Sequence, residues 1–297
     1  MRLISFVAAG ERGIGALLDD RVLDLGRLDP ELPGDMVMLL RAGEEWLNRV
    51  RRLLDSTAFD SPAWVSVHAV TLLAPIPRPG KILCIGRNYS DHVAEVVAAG
   101  HAAMEKPSIF AKVPSTVTGP GQPIVRPITT RQLDYEGELA VVIGRRAKLV
   151  SREEALEHVA GYTICNDVSA RDLQFSKDGG ITLGKNFDTS CPLGPYLALR
   201  DEIRDPGSLA LRTYVNGEPR QDSNTRYLIF DIPYIIWYLA QQLTLEPGDV
   251  IATGTPGGVG FARKPQVWLE PGDTVRVEIE GLGSLENPVV DGEARES

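Results

Sequence analysis

Cysteine is scarce in this chain, with only Cys84, Cys165 and Cys191 in 297 residues. An odd count without C-x-x-C spacing favours a reducing cytoplasm over a disulfide framework or a thiolate zinc site. Histidine is scarcer than its chemistry would require for a His₂ or His₃ metal centre, with 4 in all, so any metal must be held mainly by oxygen. No apolar run approaches the ~20 residues of a membrane span. The N-terminal stretch Met1–Gly10 meets Glu11 and Arg12 too soon for a signal sequence and reads as a first strand. Basic residues are outnumbered, 31 to 40, giving a net charge of −9. That balance argues against a nucleic-acid partner. It leaves an anionic small molecule open, because a bound cation and local Arg or Lys can reverse the sign of a pocket.

Carboxylates are abundant and, in one place, oddly arranged. Glu136-Gly137-Glu138 opens the β-branched run Leu139–Ile143. In a strand, residues i and i+2 share a face, so both carboxylates aim at one spot. Two adjacent anions repel, and a cation between them removes the conflict. Asp167 ends another apolar segment, Val159–Cys165 followed by Asn166. Three carboxylates suit a hard divalent ion, Mg²⁺ or Mn²⁺. Taken alone, Glu-x-Glu also fits solvated acids at a strand edge.

Two further clusters carry chemistry. After the apolar Ile82–Ile85 comes Gly86-Arg87-Asn88-Tyr89-Ser90-Asp91-His92-Val93-Ala94-Glu95. Ser90 or Asp91 can cap a helix on which His92 and Glu95 are i, i+3 neighbours, an orientation suited to a general base. A solvated surface pair fits the same spacing. After Asp167, Ser169 can start a helical turn that puts Arg171 and Gln174 on one side, as donors for a ligand carboxylate. Arg171 pairing with Asp167 or Asp172 is the simpler alternative. Thr253-Gly254-Thr255-Pro256-Gly257-Gly258-Val259-Gly260 is a glycine-rich turn without the Gly-Lys-Ser/Thr ending of a P-loop.

The chain divides near residue 72, before the extended linker Ala74–Gly80 with its alternate prolines. Residues 1–72 read as a small N-terminal α/β domain, with a helix over Met36–Leu54. Residues 73–297 read as a β-rich α+β domain, because strands and helices do not alternate regularly. Within it, Arg152–Val159 reads as a short helix capped by Ser151 with Glu154, and Asp231–Leu243 as a longer one. Leu-Glu-Pro-Gly-Asp occurs at 245–249 and again at 269–273, each copy reading as a type II turn that launches a strand.

Five segments, in order over residues 75–291, resemble the fumarylacetoacetate hydrolase superfamily: the Gly86–Tyr89 stretch with His92 and Glu95, Asp134–Glu138, Asn166–Gln174, Gly184-Lys185, and Thr253–Gly260. The resemblance is to bacterial acylpyruvate hydrolases and 2-hydroxyhepta-2,4-diene-1,7-dioate isomerases. It implies a mixed β-roll, a homodimer, and a small keto-acid substrate. It implies Glu136, Glu138 and Asp167 as ligands of Mg²⁺ or Mn²⁺, and His92 and Glu95 as a water-activating dyad on a lid. Lys185 joins them as a catalytic cation. Arg87, Tyr89, Lys112, Arg171, Gln174 and Thr255 are implied to contact substrate. The expected reaction is hydrolytic C–C cleavage of a 1,3-diketo acid of acylpyruvate type. Oxaloacetate decarboxylation and diene-dioate isomerisation are alternatives that use the same enolate chemistry.

Overall fold

A computed structural model describes residues 1–90 and 105–292. Its architecture is strand-rich α+β, as expected. A twelve-stranded mixed sheet and a five-stranded sheet pack face to face. The main path of the large sheet begins with four strands from the N-terminal region: Trp64–Ser66, Arg21–Asp24, Glu11–Leu18 and Arg2–Ala8. It continues through Cys191–Leu199, Val159–Asn166, Gly137–Ile143, Val250–Ala252, Ile82–Gly86 and Ser108–Lys112. Arg2 and Leu3 pair with Ala198 and Leu197, so the sheet runs unbroken across the position at which the sequence divides.

The central strands Gly137–Ile143 and Val159–Asn166 are buried along their whole length. Apart from Glu138, Thr163 and Asn166, their side chains are apolar or small on both faces because both faces are covered. One face meets the smaller sheet and the helix Ile232–Gln242 in a core that includes Leu139, Val141, Ile164, Ile236 and Val277. The other packs beneath the N-terminal helices, through Leu3, Leu39, Val50, Val142 and Leu197.

Local outcomes follow local chemistry. The helix expected over Met36–Leu54 is two helices, Met36–Ala42 and Glu44–Ser56, broken at Gly43 with φ 90°. Asp35 caps the first by accepting from the N–H groups of Val37 and Met38. The Ser151–Glu154 box forms, with each side chain accepting from the other residue's backbone N–H, but only a 3₁₀ turn, Ala155–His158, follows it. The helix Ile232–Gln242 starts as expected, with Asp231 accepting from the Tyr234 N–H and Pro233 in the first turn. The two Leu-Glu-Pro-Gly-Asp copies make the same turn. In each, the glycine has positive φ (Gly248 89°, Gly272 96°) and the Asp carboxylate accepts from the Glu N–H three residues back. Strands Val250–Ala252 and Thr274–Ile279 leave from them.

Candidate metal and substrate site

The site lies where the large sheet meets the Thr253–Gly260 turn. Glu136 and Glu138 converge there with Asp167, and one oxygen from each lies within 4.8 Å of the others. Gly137 permits this. A Cβ at 137 would overlap Thr213 Oγ1 and stand 2.9 Å from Val277 Cγ1 on the facing sheet. The residue between the two acids therefore faces the packed interface while the acids face the opposite side. Asn166 Oδ1 accepts from the Glu136 N–H at 3.0 Å, and the Asp167 N–H donates to the Glu136 carbonyl at 2.9 Å, which locks the two ligand-bearing segments together.

Three buried cations face these acids. Lys185 Nζ sits between Glu136 Oε2 (2.8 Å) and Asp167 Oδ2 (2.7 Å). Arg171 Nη2 reaches Glu136 Oε1 at 2.6 Å and Asp134 Oδ2 at 2.8 Å, so neither Asp167 nor Asp172 is its partner. Lys112 Nζ holds Asp167 Oδ1 at 2.7 Å. Burial disfavours the charge on Lys185, yet Asp167 and Glu136 more than offset it and hold the ammonium pKa above its ordinary value. Arg171 behaves alike, with burial outweighed by Glu136 and Asp134.

Glu138 is the exception. Its Oε2 accepts from the Gly254 N–H at 2.8 Å. Burial, with Asp167 and Glu136 adding repulsion, pushes its carboxyl well above the ordinary range. Four buried carboxylates (Asp134, Glu136, Glu138, Asp167) against three buried cations leave one negative charge in excess. Carboxylate oxygens carry further lone pairs beyond those the cations occupy. This all-oxygen donor set with surplus charge fits a hard divalent cation.

Backbone geometry delivers the other groups. Gly184 lets the helices Arg171–Gln174 and Gly180–Lys185 touch, because a Cβ there would stand 2.5 Å from Gln174 Cα. Lys185 and Gln174 are thereby brought to one cavity, and Arg171 Nη1 donates to Gln174 Oε1 at 3.0 Å. Arg87 lines the same cavity from a left-handed backbone, φ 58°. Asn88 pins that conformation, donating to the carbonyls of Thr253 (2.8 Å) and Phe230 (3.0 Å) and accepting from the Phe230 N–H. Thr255 completes the polar lining, and Phe110, Phe175 and Phe261 form apolar walls.

Two residues expected to contact substrate, Lys112 and Tyr89, are buried beside the cavity and not among its described lining residues. Lys112 is only 1% exposed and does not line the cavity. It stands behind Asp167, which is buried beside it, and donates also to the Lys185 carbonyl at 2.5 Å, so it braces that carboxylate. Tyr89 is fully buried, bridges to Leu228 and is likewise absent from the lining. His92, Glu95 and the expected lid around them lie outside the described residues, apart from its ends. Sequence reasoning missed Asp134 as an organiser. It accepts from the N–H groups of Gly260 (2.8 Å) and Phe261 (3.0 Å) and from Arg171 Nε (2.9 Å), tying the glycine turn to the site. Its i, i+2, i+4 spacing with Glu136 and Glu138 was the available signal.

Comparison with known proteins agrees with this geometry. The profile of the fumarylacetoacetate (FAA) hydrolase C-terminal family matches residues 81–290. A mitochondrial oxaloacetate tautomerase of Xenopus laevis is 44% identical over 98% of this chain and 90% of its own length. A Bos taurus counterpart is 43% identical over 98% of this chain and 92% of its own. Among solved structures, a fumarylacetoacetate hydrolase of Exiguobacterium antarcticum is 39% identical, with TM-score 0.84, covering 98% of this chain and 100% of that one. Maleylpyruvate hydrolase of Sphingobium sp., in complex with manganese(II) and pyruvate, is 32% identical, with TM-score 0.81, covering 99% of this chain and 100% of that one. No helix among the described residues is long and apolar enough to cross a membrane.

Proposed function

Because the chain belongs to the fumarylacetoacetate hydrolase family, we propose that it is an enol–keto tautomerase of oxaloacetate, dependent on Mg²⁺ or Mn²⁺. The observation that carries this is the joint presence of the buried three-carboxylate cluster and 43–44% identity, over 98% of the chain, to proteins named oxaloacetate tautomerases. The proposal departs from the acylpyruvate hydrolysis expected from sequence, for which the solved maleylpyruvate hydrolase, at 32%, is the more distant support.

Ketonisation removes the proton from the C2 enol oxygen and delivers one to C3, whose new C–H bond takes the electron pair of the double bond. No water is consumed and nothing is oxidised. A divalent ion held by Glu136, Glu138 and Asp167 would supply Lewis acidity beside the C2 oxygen. Lys185 stays protonated under the influence of Asp167 and Glu136, so it serves as a fixed cation near developing negative charge and not as a base. Arg87 and Arg171 with Gln174 line the cavity as donors for substrate carboxylates. His92 and Glu95 are proposed to handle the migrating proton in place of activating water. His92→Ala should then slow ketonisation at least ~10²-fold, the usual scale for loss of a general base.

A reducing compartment belongs to the same proposal, since Cys84, Cys165 and Cys191 are buried thiols. So does a homodimer, which sedimentation would test. The deciding experiment follows loss of enol oxaloacetate by ultraviolet absorption, alongside pyruvate release from a panel of acylpyruvates and CO₂ release from oxaloacetate. Metal-dependent acceleration of ketonisation is expected. Cleavage of acylpyruvates without such acceleration would replace this reading with the hydrolase.

A further inference from the structure

The register of the large sheet brings to the cavity a residue that no motif announces. Ala140 pairs with Ala252, Ala252 with Cys84, and Cys84 with Phe110, so these four stand in one row across the sheet. Two residues nearer the site on each chain stand Glu138, Gly254, Gly86 and Ser108. Residues two apart in a strand share a face, so the Ser108 side chain rises on the same side of the sheet as that of Glu138. Its own strand agrees. Lys112 Nζ reaches Asp167 at 2.7 Å, and the Phe110 ring lies 5.3 Å from Lys185 Nζ. Ser108 is the next in this i, i+2 series. A Cβ built on Gly86, its partner across the sheet, would stand 3.6 Å from Ser108 Oγ, and both residues line the cavity.

Between Glu138 and Ser108 the intervening chains carry only glycine at this level. Gly254 gives its N–H to Glu138 Oε2, and Gly86 leaves the floor beside Ser108 without a side chain. Three interstrand spacings set the Cα atoms of Glu138 and Ser108 roughly 14 Å apart. That is room for a four-carbon diacid lying over the glycines, one end at the acidic cluster and the other at Ser108. The cations at the cluster end are already paired, Lys185 with Glu136 and Asp167, Arg171 with Asp134 and Glu136. Among the described residues, nothing hydrogen-bonds to Ser108 Oγ.

We propose that Ser108 is a specificity-determining residue: its hydroxyl donates to the carboxylate at the far end of the substrate and selects four-carbon diacids over 2-oxo acids with an alkyl tail. This deepens the oxaloacetate reading and rests on it. The apolar walls Phe110, Phe175, Ile181 and Phe261 would suit an alkyl tail, so a polar group is needed to prefer the diacid. An ionised carboxylate can only accept, and a serine hydroxyl supplies the donor. A methyl group in the same place leaves that hydroxyl unpaired, which is how a hydrogen-bonding pocket rejects an analogue lacking the partner.

The test compares two ligands on Mg²⁺-loaded protein by calorimetry. One is L-malate. The other is (S)-2-hydroxybutyrate, which keeps the first carboxylate and the C2 hydroxyl but carries a methyl group where malate has its second carboxylate. Ser108→Ala should weaken malate about 10-fold, the low end for a hydrogen bond to a charged group, and leave 2-hydroxybutyrate unchanged. Ser108→Thr, which keeps the hydroxyl, should restore malate. Unchanged 2-hydroxybutyrate affinity also shows that the variant is folded and loaded. Malate unaffected by Ser108→Ala, an equal loss of both ligands, or Ser108→Thr no better than Ser108→Ala would each overturn the proposal. The ratio of the two affinities is read without turnover, whereas ketonisation by the wild type tests the function itself, so the two readings fail separately.

Discussion

At the scale of single residues, the site is a matter of compensated charge. Glu138 is the carboxylate whose burial and acidic neighbours leave it short of positive charge. Glu138→Gln keeps an acceptor for the Gly254 N–H while removing the excess charge. The metal-free variant should therefore unfold at or above the wild-type temperature, and addition of Mn²⁺ should no longer raise that temperature. A Mn²⁺ shift surviving in the variant would remove Glu138 from the ligand set. Lys112 makes the opposite case. With its Nζ fully buried on Asp167, Lys112→Met should cost about 3–5 kcal/mol in denaturant unfolding without metal, as breaking one side of a buried ion pair does. A loss below 1 kcal/mol would mean that Asp167 finds other compensation. These two residues also mark the limit of sequence reading. The i, i+2 spacing of Glu136 and Glu138 states in advance that their side chains share a face. Nothing near Lys112 states that its ammonium turns inward toward Asp167, 55 positions on. Ser108 was invisible for the same reason, since its place opposite Gly86 is set by pairing across the sheet.

At the scale of elements, glycines decide how closely the functional segments approach. Gly137 stands where the two sheets touch, and Gly137→Ala must push Thr213 and Val277 away or tilt the strand carrying both glutamates. We expect about 1–3 kcal/mol of destabilisation, typical of overpacking, together with weaker Mn²⁺ binding. Destabilisation with intact metal affinity would show that the smaller sheet yields and the ligand strand does not. Elements with strong local signals were readable: the helix beginning at Asp231, the Ser151–Glu154 box, and the paired Pro-Gly turns, whose glycines supply the positive φ that such turns require. The break at Gly43 was not, because the apolar stripe continues through it and periodicity alone reports one helix.

At the scale of the whole molecule, residues 1–72 are bound into the large sheet and do not hang beside it. Arg2–Ala8 covers the edge of Cys191–Leu199, and Leu3, Leu39 and Val50 share a core with Val142 and Leu197. Deleting 1–72 should therefore yield aggregated protein, from an exposed strand edge and an uncovered apolar face; a soluble, metal-binding fragment would contradict this. Such pairing between residues nearly 200 apart could not be seen in composition or spacing, although the β-rich class could. The account as a whole depends on where the cation sits. Crystals grown with Mn²⁺ and measured for anomalous scattering should show one peak, with oxygens of Glu136, Glu138 and Asp167 at roughly 2.0–2.2 Å. A peak elsewhere, or none at this cluster under saturating Mn²⁺, would contradict it.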